Sequence, residues 1–180
     1  MEITGDRVIL RTIQEQDREL LLNLINDPEI TRITGGYSLP APYKHQMDRF
    51  RFVPESIGRL YSIIADRKKP QTGLGILILS DIDLNRKTAE IYIKLTTLVR
   101  GQGYGQDAVN TLAAYVFSEL GLSRICANIL ESNTASRKLF EACGFKLEQV
   151  HRHTIHGSKC RNVYVYERRI ANTEGIECKI

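Results

Sequence analysis

The chain lacks most of the features that would take it away from an ordinary folded domain. No apolar run in its 180 residues approaches the ~18 that a membrane-spanning helix needs, so no membrane partner is expected. Cysteine is sparse. Cys126, Cys143, Cys160 and Cys178 form no C-x-x-C pair and no signal-like stretch precedes them, which predicts free thiols in a reducing cytoplasm. There is no internal repeat and no low-complexity segment. An excess of one charge is also missing. The 25 Lys and Arg against 21 Asp and Glu leave a net charge of +4, with no continuous basic stripe, so no nucleic-acid partner is expected. With 42% hydrophobic and 26% charged residues, the composition predicts one globular domain over residues 1–170 and a polar, frayed tail over 171–180.

Glycine, by contrast, is concentrated where it can do chemistry. Val99-Arg100-Gly101-Gln102-Gly103-Tyr104-Gly105-Gln106 sets three glycines at alternate positions between a strand-like run and an amphipathic helix. Glycine reaches positive φ and lets a ligand come close to the backbone. The start of a helix adds unpaired N–H groups and a favourable dipole, so the stretch reads as a phosphate cradle or, more plainly, as a glycine-rich βα turn.

Apolar periodicity gives the remaining elements. Residues 7–13, around Val8-Ile9-Leu10, read as a strand, and 14–26 as a helix carrying Leu20, Leu21, Leu24 and Ile25. Asp27-Pro28 ends that helix, residues 34–42 form a loop with two glycines and two prolines, and 43–53 is a short second helix. Runs at 60–65, 73–79 and 88–95, divided by Arg67-Lys68-Lys69-Pro70 and Asn85-Arg86-Lys87, predict an antiparallel meander. The last run puts Ala89, Ile91, Ile93 and Leu95 on one face and Glu90, Tyr92 and Lys94 on the other, a candidate floor for a site. A helix over 106–120, a strand over 124–129, a helix capped by Ser132 or Asn133 and ended by Gly144, and strands at 145–150 and 162–168 complete the order. The fold class is therefore α/β (α+β): a mixed sheet with helices on both faces.

Two motifs now carry a resemblance. Arg100-Gly101-Gln102-Gly103-Tyr104-Gly105 fits the acyl-CoA signature [Arg/Gln]-x-x-Gly-x-[Gly/Ala] of the GNAT-superfamily N-acetyltransferases, and Asn133, Ser136, Gly144 and Phe145 fit the second signature about one strand later. In element order the similarity spans residues 7–168. The opening RVILRTIQEQDRE and the Asp27-Pro28-Glu29 stretch resemble the branch with the ribosomal-protein N-terminal acetyltransferases. The resemblance implies a mostly antiparallel sheet splayed between its fourth and fifth strands, at 88–95 and 124–129. It implies acetyl-CoA as co-substrate, no metal, and direct acetyl transfer to a primary amine: a protein N-terminus, an amino sugar or another small amine. A homodimer is compatible with it. Donor contacts fall by resemblance on Leu95, Leu98 and Val99, on Arg100, Gly101, Gln102, Gly103, Tyr104, Gly105 and Gln106, and on Asn133, Ser136 and Phe140.

Direct transfer needs a deprotonated amine, a polarised thioester and a protonated leaving thiolate. Glu90 is the preferred general base, directly or through water; otherwise it binds the amine. Many family members place a tyrosine where this chain has Phe140, which has no proton to give. Ser136, Asn133, water, or at a distance Tyr92 or Tyr104 remain for the leaving group. Arg100 either neutralises phosphate or is a solvated loop cation. His151, His153 and His156 form H-x-H-x-x-H, read as surface strand ahead of a substrate-pocket role or a metal site. Tyr164 and Tyr166 read as packing. The missing tyrosine leaves a non-catalytic acyl-CoA sensor as an alternative, and a tRNA-directed acetyltransferase is a further one.

Overall fold

A computed structural model describes residues 2–28, 58–155 and 159–170 of the chain. The loop expected at 34–42, the helix expected at 43–53, His156 and the tail from 171 lie outside the described residues.

Strand β1 (Glu2–Thr4) and β2 (Val8–Arg11) form a hairpin, followed by a 3-10 turn (Glu15–Asp17) and helix α1 (Arg18–Asn26). Asp27 leaves the helical region at φ −65° and ψ 115°, as the residue before Pro28 must. The meander follows as β3 (Leu60–Asp66), β4 (Lys69–Asp83) and β5 (Thr88–Leu95). Strand β4 is longer than the apolar run 73–79, and Pro70 sits near its start rather than ending the strand before it. The turn into β5 is built by Asp83, whose Oδ1 accepts the N–H groups of Asn85 and Arg86 at 2.9 and 2.8 Å. A short 3-10 turn (Thr97–Val99) leads to α2 (Tyr104–Ser118), β6 (Arg124–Leu130), α3 (Thr134–Ala142), β7 (Lys146–Ile155) and β8 (Lys159–Arg169). Helix α2 begins and ends two residues before the expected 106–120, so Tyr104 and Gly105 belong to its first turn.

The eight strands form one sheet in the order β1-β2-β3-β4-β5-β6-β8-β7. Every neighbouring pair is antiparallel except β5 and β6, which are parallel because α2 carries the chain across between them. Alternation sorts the side chains to two cores. Leu21 and Leu24 of α1 pack on Ile63, Ala65 and Ile76, while α2 and α3 cover the other face over Leu10, Ile64, Leu77 and Ile91.

The parallel pair is short. Register holds for Thr88↔Arg124, Ala89↔Ile125 and Glu90↔Cys126 and goes no further. Beyond that point β5 follows β4 to Leu95↔Gly75, and β6 follows β8 to Leu130↔Val163. Each strand keeps one partner and the two diverge, which is the splay expected between residues 88–95 and 124–129.

Gly75 sits where this opening is held. A Cβ on it would lie 2.2 Å from the backbone oxygen of Lys94. Gly75→Ala must push β4 and β5 apart and is expected to cost about 1–3 kcal/mol. Thermal unfolding checks this; a melting temperature equal to that of the parent would contradict the close approach.

Candidate active site

The glycine loop supplies main chain more than side chains. Gly101 and Gly103 sit at φ +73° and +85°, which an L side chain resists. Gly103 is the N-cap of α2 and carries no side chain to satisfy the helix, and the first turn closes with Asp107 N–H donating to Gly103 O at 3.1 Å. The N–H groups of Tyr104, Gly105 and Gln106 thus precede the first intrahelical bond and stand free for an anion. Gly105 has another reason: its missing Cβ would lie 3.0 Å from Leu95 Cδ1 and close to Leu139, so glycine lets α2 start against β5 and α3.

The side chains of this stretch turn elsewhere. Arg100 folds back, with Nε and one terminal nitrogen each donating to Leu95 O at 3.3 Å. Gln102 Nε2 donates to Leu98 O at 2.8 Å, and the Leu98 side chain is 85% exposed. Gln106 Nε2 reaches Ala142 O at 3.4 Å. The Tyr104 hydroxyl lies 3.5 Å from Asp66 Oδ2, away from the splay, which removes it as a donor to a leaving group there.

On α3, Asn133 caps the helix by accepting the Ser136 N–H at 3.1 Å. Asn133, Ser136 and Phe140 follow at helical spacing and line one wall of the cleft. Phe140 is 3% exposed and meets Phe145 edge-on at 4.9 Å, so its ring belongs to the core as much as to the wall.

The cleft is a cavity of about 680 Å³ that passes between the diverging strands. Ile91, Ile93, Ala127 and Ile129 line it together with α3, and Glu90, Tyr92, Lys94 and Asn128 line its other end. The β5 edge along it has a fixed polarity. Thr96 N–H donates to Leu74 O at 3.0 Å, so the even residues of β5 bond to β4 and the odd ones direct their N–H groups the other way. Past Glu90, where β6 has departed, the N–H groups of Ile93 and Leu95 therefore point into the opening.

The far end is polar. Asn128 Nδ2 donates to Glu90 Oε1 at 2.6 Å across the splay. Strand β4 adds Ser80 and Asp81, with Ser80 Oγ donating to Asp81 Oδ2 at 2.9 Å. Asp81 sits at φ +50° where the β4–β5 register slips between Ser80 and Asp83, so the irregularity re-aims it to the cleft. Burial, then the hydrogen bond and charge of Glu90 and the charge of Asp81, push the Tyr92 hydroxyl up, so it keeps its proton. Burial pushes Lys94 down. His151 lines the same space, while the side chains of His153 and His156 lie outside the described residues. Among the described residues no three His, Cys, Asp or Glu side chains are grouped to hold a metal ion, and no helix is long and apolar enough to cross a membrane.

Asn128 and Asp81 were missed as site residues. Asn128 had a signal, a polar side chain between the apolar Ala127 and Ile129, whereas the strand irregularity that aims Asp81 has no local signature.

Comparisons with known proteins agree with this geometry. Residues 7–146 match the family described as "Acetyltransferase (GNAT) domain". The uncharacterised N-acetyltransferase YoaA of Bacillus subtilis (strain 168) is 25% identical over 157 residues, 81% of this chain and 82% of that protein. In fold, the chain is similar to the spermidine N-acetyltransferase of Vibrio cholerae crystallised with CoA and spermine, with a TM-score of 0.81, 19% identity, and 92% of this chain and 96% of that one covered. A candidate ribosomal-protein-serine acetyltransferase of the same organism matches with a TM-score of 0.75 and 18% identity, over 94% and 98% of the two chains. With a family match over most of its length and a sheet splayed beside a glycine-capped helix, the chain belongs to the GNAT acetyltransferases and is an N-acetyltransferase.

Proposed function

We propose that this enzyme takes the acetyl group of acetyl-CoA on the α2–α3 side of the sheet and passes it to a primary amine entering from the Glu90 side. One observation carries this: a cleft opens where β5 and β6 part, walled by Asn133, Ser136 and Phe140 of α3 and lined by Glu90 and Asn128, while the glycine-capped start of α2 lies against Leu95 of the same β5. The N–H groups from Gly101 to Gln106 would hold the pyrophosphate, and Asn133 with the opened β5 edge would hold the pantetheine arm. Acetyl-CoA supplies an activated acyl group there. The N–H of Ile93 or Leu95 stabilises the thioester oxygen as it gains charge. Glu90, fixed by Asn128, accepts the proton of the attacking amine. Ser136 is the hydroxyl of α3 that lines the cleft and is assigned to hydrogen-bond the leaving sulfur, whose proton comes from solvent water in place of the tyrosine that Phe140 replaces.

Two carboxylates, Glu90 and Asp81, face the acceptor end. Arg59 and Lys94 face it too, the latter with its charge weakened by burial, so the acceptor end holds both signs and a carboxylate is available to an incoming amine. The test is CoA release from acetyl-CoA with a panel of a polyamine, an amino sugar and a peptide N-terminus. Turnover with at least one amine is expected. CoA binding without turnover on any of them would replace the proposal with a non-catalytic acyl-CoA-binding role.

A further inference from the structure

We infer, on the reading that the glycine loop holds acetyl-CoA, that Arg7 is the cation of the donor-phosphate site, in the role the motif would give to Arg100. Arg100 turns its Nε and one terminal nitrogen to the Leu95 carbonyl. Arg7 faces the loop instead. One terminal nitrogen donates to Gln102 O at 3.0 Å, and a Cβ placed on Gly103 would lie 3.8 Å from Cζ, Nε and NH1 of the guanidinium. The flat group therefore lies alongside the backbone of the α2 N-cap. A guanidinium carries five N–H donors, and the Gln102 carbonyl takes one.

The turn that carries Arg7 is fixed to the same helix. Asp107, in the first turn of α2, accepts the N–H groups of Asp6, Arg7 and Val8 at 3.2, 2.8 and 3.0 Å. Gly5 N–H closes the turn on Val8 O at 2.9 Å, and Arg67 donates to Gly5 O at 3.0 Å. A carboxylate in the first turn of a helix opposes an anion bound at its N-terminus, and here three N–H bonds draw that carboxylate to the side. The same three bonds set Arg7 beside the loop. Helix start, glycine turn and cation are thus one rigid unit, although about a hundred residues of sequence separate Arg7 from Asp107.

Two donors separate a phosphate contact from a structural tether. Acetyl-CoA carries the phosphates; acetyl-pantetheine carries the same thioester without them. Arg7→Gln is expected to lower kcat/KM for acetyl-CoA roughly tenfold, chiefly through KM, as for loss of a charge-assisted hydrogen bond. It should leave acetyl-pantetheine unchanged, and the loss should shrink as ionic strength rises. Arg7→Lys should recover part of the loss. Calorimetric titration with CoA and with pantetheine gives the same contrast without turnover. An equal loss with both donors, or none with acetyl-CoA, overturns the assignment of Arg7 and leaves the acetyltransferase reading standing. A parent enzyme that neither turns over nor binds CoA overturns both.

Discussion

Glu90→Gln is expected to lower kcat/KM for the amine by about 10²- to 10⁴-fold, the usual contribution of a positioned general base, with no change in CoA affinity. Gln has the shape of Glu, and its carbonyl oxygen can still accept the Asn128 N–H that holds Glu90 Oε1 at 2.6 Å. The substitution therefore removes the proton acceptor and spares the packing. The loss should hold across the pH–rate profile, because the acceptor amine titrates alike in both enzymes. Two other groups on this face could be mistaken for Glu90. The Tyr92 hydroxyl has its pKa raised by burial and by Glu90, so it stays protonated to higher pH than a free tyrosine and adds no limb near neutrality. Lys94 has its pKa lowered by burial, so its deprotonation moves toward the assay range. Lys94→Met is the control. A loss of kcat/KM in Lys94→Met without one in Glu90→Gln would assign the base to Lys94, and rates in Glu90→Gln equal to the parent's across the profile remove Glu90 from the mechanism.

How much of this the sequence revealed depends on how far apart the cooperating residues lie. The starts of α2 and α3 were legible because their parts are local. Gly101, Gly103 and Gly105 stand next to the helix they start, and Asn133 and Ser136 form a cap within one turn. The face of β5 holding Glu90, Tyr92 and Lys94 followed from alternation alone. Strand ends were less legible: β4 runs from Lys69 through Pro70 to Asp83 because pairing with β3 and β5, rather than its own apolar run, sets its length. The partners of these residues were not legible. Asn128 meets Glu90 only because β6 pairs with β5 for three residues and then departs. Arg100 turns to the Leu95 carbonyl because that carbonyl lies on the open edge of β5, and Arg7 lies beside the loop because the β1–β2 turn is bonded to Asp107. Such contacts belong to tertiary structure and leave no periodic trace.

The buried ion pair of Arg11 and Asp17 is the other such contact, and Asp17→Ala is expected to destabilise the protein by about 3–5 kcal/mol. Both residues are charged, yet they are 5% and 2% exposed. Arg11 grips Asp17 with two bonds of 2.7 Å and also donates to Pro70 O at 3.0 Å and Thr12 O at 3.1 Å. Asp17 in turn accepts the Gln14 N–H at 2.8 Å. One charge pair thus joins β2, the start of β4 and the entry to α1. Removing the carboxylate strands a guanidinium where water cannot reach it, and that uncompensated charge, more than the lost attraction, sets the cost. Replacing both partners by apolar residues, as in Arg11→Met with Asp17→Leu, removes the stranded charge and should cost less than Asp17→Ala alone. Urea unfolding of the parent, both single variants and the double variant measures the coupling, and at this chain length each kcal/mol moves the melting temperature by roughly 2–4 °C. A double variant that falls as far as the sum of the singles would show that the two residues do not act as a pair. Because α1 and this pair lie on the sheet face opposite α2, the Asp17→Ala enzyme should still bind CoA with the parent's affinity below its own melting transition. Stability and donor binding are separated by the thickness of the sheet.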